Sequence, residues 1–251
     1  MTRLAGKVAL VTGAGQGVGQ GIAFALAAEG AAVAVAGRTK SKVDTTIGQI
    51  SDRGGKALAV ECDVKDADSA AACVEAVVAH FGKLNILVNN AQEVALGALN
   101  DVTDEALIAG WESGPLATFR LMKLCYPHLK GDGVIVNFGT SAAKRWDVSG
   151  YGAYAAIKEA TRQLTRAAAC EWAKDGIRTN AILPLGDSPA MAWWMRERPE
   201  ESAAFVATVP QGYIGSCEKD VGRFVATLCS EDCRYINGQS IGVDGGQAYL
   251  G

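Results

Sequence analysis

Short apolar runs alternate along the chain with longer stretches in which apolar positions recur every three or four residues. The runs fall at 7–11, 32–36, 57–60, 84–88, 133–138, 177–183 and 240–243. The first four are apolar almost throughout, the pattern of parallel strands covered on both faces and not of strands with one face in water, and the last three continue it. The stretches between them, 17–30, 41–53, 66–81, 103–129, 151–174 and 218–230, carry the helical period, and several end at glycine. Thr103 begins one of them without a full capping box, although Asp104 and Glu105 suit a first turn. Strand and helix in strict alternation predict an α/β fold: a single-domain, Rossmann-like, doubly wound parallel sheet of about seven strands with helices on both faces. The segment 186–215 departs from the rhythm. It holds Pro189, Pro199 and Pro210 among Met191, Trp193, Trp194 and Met195, too irregular for a plain core helix, and reads as a substrate-binding lid.

Composition supports one large core over residues 1–251: the 251 residues are 49% hydrophobic and 20% charged, with a mean hydropathy of +0.11. A net charge of −3 without a dense Lys/Arg run argues against nucleic acid as a partner. No apolar run approaches the roughly 18 residues that span a bilayer, so no membrane partner is expected. The seven cysteines are scattered, without a CxxC pair and with only two histidines to join them. They read as reduced core thiols of a cytoplasmic protein, and no metal site is expected.

The first strand runs into Thr12-Gly13-Ala14-Gly15-Gln16-Gly17-Val18-Gly19, which opens a helix. Glycines without Cβ let the backbone turn sharply and let a pyrophosphate reach the free N–H groups of the helix start. The spacing is G-x-x-x-G-x-G through Gly13, Gly17 and Gly19 in place of the strict G-x-G-x-x-G. About 20 residues further on, where a dinucleotide fold places its ribose-reading acid, stand Gly37, Arg38 and Thr39. Arg38 would bond a 2′-phosphate, which favours NADP(H), with NAD(H) still possible.

Tyr154 and Lys158 stand four residues apart, on one face of a helix. A free tyrosine titrates near 10, and a neighbouring ammonium would lower that value and make Tyr154 a general acid or base. Tyr151, in the same turn, faces Ala155 at the fourth position and lacks such a cation there.

Taken in order, these motifs resemble the classical short-chain dehydrogenase/reductase family. The resemblance also rests on Cys62-Asp63-Val64, Asn89-Asn90-Ala91, the strand 134–138 leading to Ser141, Ile177-Arg178-Thr179-Asn180 and Val243-Asp244-Gly245-Gly246. It implies hydride transfer between NAD(P) and a carbonyl or alcohol, usually in a homotetramer. By the same resemblance Ser141, 13 residues before Tyr154, would hydrogen-bond the substrate oxygen. Asp63 and Val64 would border the adenine, Asn90 and Ala91 would support the cofactor, Lys158 would also hold the nicotinamide ribose, and Pro184 would stand beside it.

Three positions depart from the family pattern. Gln92 stands where the family has glycine after Asn-Asn-Ala, and is expected to line the pocket. Gly114 falls where the family has an asparagine that kinks the central helix and holds a water linking the lysine to solvent; Ser113-Gly114-Pro115 could still kink it. After strand six the family's Pro-Gly becomes Pro184-Leu185-Gly186, which moves the carboxamide-binding threonine position to Ser188 or Pro189. The leading reading is an NADP(H)-preferring reductase of a bulky or apolar carbonyl, or a dehydrogenase of the corresponding secondary alcohol, with Gln92, Trp146, Tyr151, Met191, Trp193 and Trp194 around the substrate. The alternative is a nucleotide-binding regulatory or interaction protein with weakened or lost catalysis. Chemistry on an imine or enone with the same cofactor is a third reading.

Overall fold

The computed structural model describes residues 2–145 and 148–249. Seven parallel strands form one sheet: β1 Val8–Thr12, β2 Ala32–Gly37, β3 Lys56–Glu61, β4 Ile86–Asn89, β5 Gly133–Phe138, β6 Ile177–Pro184 and β7 Ser240–Val243. Their order is β3-β2-β1-β4-β5-β6-β7. The order reverses between β1 and β4, whose register pairs Ala9 with Ile86 and Val11 with Val88. At such a reversal the connections leave in opposite directions and open a crevice at the carboxyl ends of the strands.

Helices cover both faces: α1 Gly17–Ala28, α2 Lys40–Asp52, α3 Ala67–Phe81, α4 Asp104–Trp111, α5 Ala117–Leu129, α6 Gly152–Glu171, α7 Pro189–Glu197, α8 Pro199–Val206 and α9 Arg223–Leu228. Alternate strand residues feed two separate cores, which is why both faces of the strands are mostly apolar. Ala9, Val11, Val33 and Val35 pack with Ile22 and Leu26 of α1 and Val225 and Leu228 of α9. Val8, Leu10, Ala34 and Ala36 pack on the other side with Val74 and Val77 of α3 and Leu121 and Cys125 of α5. Among the described residues no helix is long and apolar enough to cross a membrane.

Two predicted helices are broken. The stretch 103–129 begins with Thr103, whose Oγ1 accepts from the Ala106 N–H at 3.2 Å, half of a capping box. It then passes through a π-helical turn at Glu112–Leu116 before continuing as α5. The expected kink is therefore a change of hydrogen-bond register centred on Gly114 and Pro115. The stretch 218–230 likewise opens with a π turn, Cys217–Gly222, before α9. This turn lies against α1 so closely that a Cβ on Gly21 would meet the Cys217 carbonyl carbon and oxygen at 2.4 Å. The segment 186–215 folds as α7 and α8, each opened by a proline in its first turn.

Candidate active site

The crevice at the carboxyl ends of β1, β2 and β4 holds a cavity of about 580 Å³. One wall is the glycine turn, held from below by Asn90. Its Nδ2 donates to the carbonyls of Thr12 at 2.9 Å and Gly13 at 3.2 Å. Thr12 Oγ1 in turn accepts from the N–H groups of Asn90 and Ala91, both at 3.1 Å. This clamp explains two of the glycines. A Cβ on Gly19 would lie 2.4 Å from Asn90 Nδ2 and one on Gly13 would lie 2.8 Å from it, and Gly13 also turns through φ +64°. Gly19 thus serves packing beneath the turn, whereas Gly13, Gly15, Gln16, Gly17, Val18, Asn90 and Ala91 face the cavity. The first turn of α1 has no acidic residue, and Gln16 makes no side-chain cap. Its amide groups are left to an anion, as a dinucleotide pyrophosphate requires.

Helix α6 brings Tyr154 and Lys158 to the opposite wall. Lys158 is 4% exposed, lines the cavity and makes no hydrogen bond or ion pair among the described residues; its Nζ lies 5.6 Å from the centre of the Tyr154 ring. Burial pushes its pKa down to about 7. Burial around the Tyr154 hydroxyl, reinforced by neighbouring Tyr151 and eased by a hydrogen bond with Thr140, pushes the phenol up to about 12. The expected lowering of Tyr154 by the lysine is therefore reversed, because desolvation disfavours the charged form of both groups. A protonated phenol beside a buried lysine that has no counter-charge among the described residues suits the delivery of a proton to an oxygen that gains negative charge.

Ser141 stands just outside this wall. It is buried, and its Oγ donates to Gln247 Oε1 at 2.9 Å, while Thr140 is the hydroxyl that lines the cavity and meets Tyr154. Gln247 is aimed at Ser141 by the turn after β7, where the Asp244 carboxylate accepts from the N–H groups of Gly246 at 3.0 Å and Ala248 at 3.1 Å. No local spacing could have linked these residues, which are 106 positions apart.

At the far end, Arg38, Thr39, Asp63 and Val64 line the cavity as expected. Arg38 is engaged: its Nη1 lies 2.8 Å from Glu93 Oε1. Lys65 Nζ approaches the same oxygen at 3.2 Å, so one carboxylate bridges two cations beside the ribose-reading position. Lys42, which also lines the cavity, donates to Gln16 Oε1 at 2.7 Å. Sequence reading missed Glu93, Lys65 and Lys42.

Of the expected substrate-pocket residues, Gln92 and Met191 line the cavity, as does Pro184 beside them. Trp194 turns away and packs edge-on against Phe205 at 5.5 Å between ring centres. Tyr151 sits behind Tyr154 at 6.2 Å with the Arg145 guanidinium 5.3 Å from its ring. Neither aromatic side chain lines this cavity. Trp193 is largely exposed. Trp146 lies outside the described residues. The amino end of α7 closes over the glycine turn, where a Cβ on Gly17 would lie 3.4 Å from Pro189 Cδ and 3.5 Å from Ser188 Cβ.

A family model described as enoyl-(acyl carrier protein) reductase matches residues 13–248. A 12α-hydroxysteroid dehydrogenase of a Clostridium species is 37% identical over 250 residues, covering 96% of each chain. Among solved structures, a 7α-hydroxysteroid dehydrogenase complexed with NADH and 7-oxo glycochenodeoxycholic acid superposes with a TM-score of 0.92 at 28% identity. It covers 99% of this chain and 97% of its own. A short-chain dehydrogenase from Burkholderia cenocepacia in complex with NADP superposes with a TM-score of 0.89 at 32% identity, covering 98% and 99%.

The burial of Lys158 predicts a measurable cost. Its folded pKa of about 7 lies below the ordinary 10.5, so between those values the unfolded chain binds a proton that the folded one releases. Stability therefore rises with pH across that window, and the cost is greatest below pH 7. Lys158→Met should stabilise the protein at pH 7 by on the order of 2 to 4 kcal/mol. Thermal melts between pH 6 and about 10 should show the gap closing as pH rises; a gap independent of pH would contradict the lowered pKa.

Proposed function

Because the chain belongs to the short-chain dehydrogenase/reductase family, we propose that it is an NADPH-preferring reductase of bulky, apolar carbonyl compounds, run in reverse as a dehydrogenase of the secondary alcohols. That it is an NAD(P)-dependent oxidoreductase acting on a carbonyl or an alcohol follows from the family and its hydroxysteroid-dehydrogenase relatives. The observation that carries the proposal is the pair on α6: a phenol held protonated beside a buried lysine without a counter-charge among the described residues, both facing the cavity. Gly13, Gly15, Gly17 and Val18 would hold a dinucleotide along the glycine turn, and that cofactor would supply the hydride. Tyr154 gives its proton to the carbonyl oxygen as negative charge develops there. Lys158 steadies that charge and the phenolate left behind, and holds ribose hydroxyls. Ser141 exchanges its Gln247 partner for the substrate oxygen as a second donor. Residues 186–215 act as the lid, with Met191 from α7 offering apolar surface to the substrate.

The preference for NADPH rests on Arg38 and Lys65 at the ribose end, where no acid follows β2. Glu93 moderates it, because a 2′-phosphate must draw Arg38 from that carboxylate. The regulator reading draws on the departures from the family pattern at Gly114 and Gln92. Its supporting argument weakens once these two side-chain positions are seen to touch.

A homotetramer is supported by an apolar face on α4 and α5, where Leu107, Ile108, Trp111 and Phe119 are all exposed. In a monomer such a patch would remain in water. A second copy of this chain is its proposed cover.

Turnover is tested by following NADPH loss with cyclic ketones, diketones, quinones and ketosteroids. Tyr154→Phe should lower kcat/KM by about 10²- to 10⁴-fold. Arg38→Ala should weaken NADPH by about tenfold with little change for NADH, and Glu93→Gln should tighten NADPH. Full NADPH binding without turnover of any carbonyl would favour the regulator; equal effects of Arg38→Ala on both cofactors would remove the preference. Light scattering should give a tetramer, and Trp111→Glu should reduce it; a monomeric wild-type protein would refute the assembly.

A further inference from the structure

The helix break at Glu112–Leu116 is tied to the loop that follows β4. In the π register each N–H reaches the carbonyl five residues earlier. Pro115 has no N–H to offer, so it falls at the one position the change of register skips. Gln92 reaches the helix just before it: its Nε2 donates to the Gly110 carbonyl at 2.8 Å and to the Glu93 carbonyl at 2.9 Å. Beside it the Glu93 N–H donates to Ser113 Oγ at 2.9 Å, and that hydroxyl donates to the Ala109 carbonyl at 2.7 Å. The loop after β4 is thereby fastened to the break at two adjacent points.

Position 114 shows how tightly. A Cβ there would lie 2.5 Å from Gln92 Oε1, 2.8 Å from Nε2 and 3.0 Å from Cδ. The Gln92 carboxamide occupies the space that any side chain at 114 would take, so these two residues form one compensated unit. The fastened surface also bears on the reacting groups. A Cβ on Gly110 would meet Ile157 Cδ1 at 2.7 Å, and Ile157 adjoins Lys158 and follows Tyr154 by three residues on α6.

We propose that Gln92 is a positioning residue for the reaction: its carboxamide fastens the loop after β4 to the Gly110 carbonyl, locks the helix break, and through Gly110 and Ile157 sets where α6 holds Lys158 and Tyr154. The kinetic meaning of this role rests on the oxidoreductase reading; the lock itself does not. Gly114 is then required by Gln92, and an asparagine added at 114 alone would collide with it.

A thermal double-mutant cycle reads the lock without any substrate. Gly114→Ala should lower Tm by about 5 °C in the native chain, through overpacking, and should be neutral or stabilising once Gln92→Gly has emptied the space. The positioning role is read by the pH midpoint of NADPH affinity, which follows Lys158 and should vanish in Lys158→Met. Gln92→Gly, which introduces no clash, should move that midpoint by about half a unit or more. Adding Gly114→Asn, which returns an amide to the vacated space, should restore it, whereas adding Gly114→Ala should not. Additive Tm changes would overturn the lock. Coupled Tm changes with an unmoved midpoint would overturn the positioning role and leave Gln92 a packing residue. Failure of the wild-type protein to bind NADPH would instead refute the proposed function, with the thermal cycle still deciding the lock.

Discussion

A buried ammonium group that faces a cavity and finds no carboxylate among the described residues is a standing electrostatic debt, and the site is arranged around it. Lys158 is fixed on the longest helix, 20 residues of α6, against strand and helix surfaces that keep water away from it. The same desolvation that lowers the lysine raises Tyr154, so the two neighbours favour their neutral forms together. A ligand that brings hydroxyl acceptors and negative charge shifts this balance in favour of the ammonium. Binding and the readiness of the proton donor are in this way coupled through one side chain.

The scaffold keeps that arrangement by closing each gap with a neighbouring amide. Asn90 stitches the glycine turn to the end of β4, and Gln92, two residues later, stitches the same loop to the helix break. Both amides displace a Cβ, from Gly13 and Gly19 in one case and from Gly114 in the other. The run Asn90-Ala91-Gln92-Glu93 thus serves three ends of the cavity, since Glu93 goes on to pair with Arg38 and Lys65. At the carboxyl end of the sheet, Gln247 does comparable work for Ser141.

The architecture was legible because its signals are local. Strand runs apolar on both faces can only be buried on both faces, and all seven lie where the pattern put them, with ends within two residues. The kink near Ser113-Gly114-Pro115 was readable from proline chemistry, although its π register was not. What escaped the sequence depends on distant approach. Gln92 reads as a pocket side chain and only in three dimensions becomes the reason for Gly114. Trp194 and Tyr151 read as pocket aromatics, and their ring contacts with Phe205 and Arg145 follow no local spacing. The direction of the Tyr154 shift was misread because spacing reports the lysine four residues on and says nothing of desolvation.

The most direct measurement is an NMR titration of the Lys158 side chain, assigned by comparison with Lys158→Met, in the free protein and with saturating NADPH. The account predicts a midpoint near 7 in the free protein, well below the ordinary 10.5, moving upward by about one unit or more when NADPH supplies acceptors and negative charge. A midpoint near 10.5 in the free protein, or one that NADPH leaves unmoved, would contradict it.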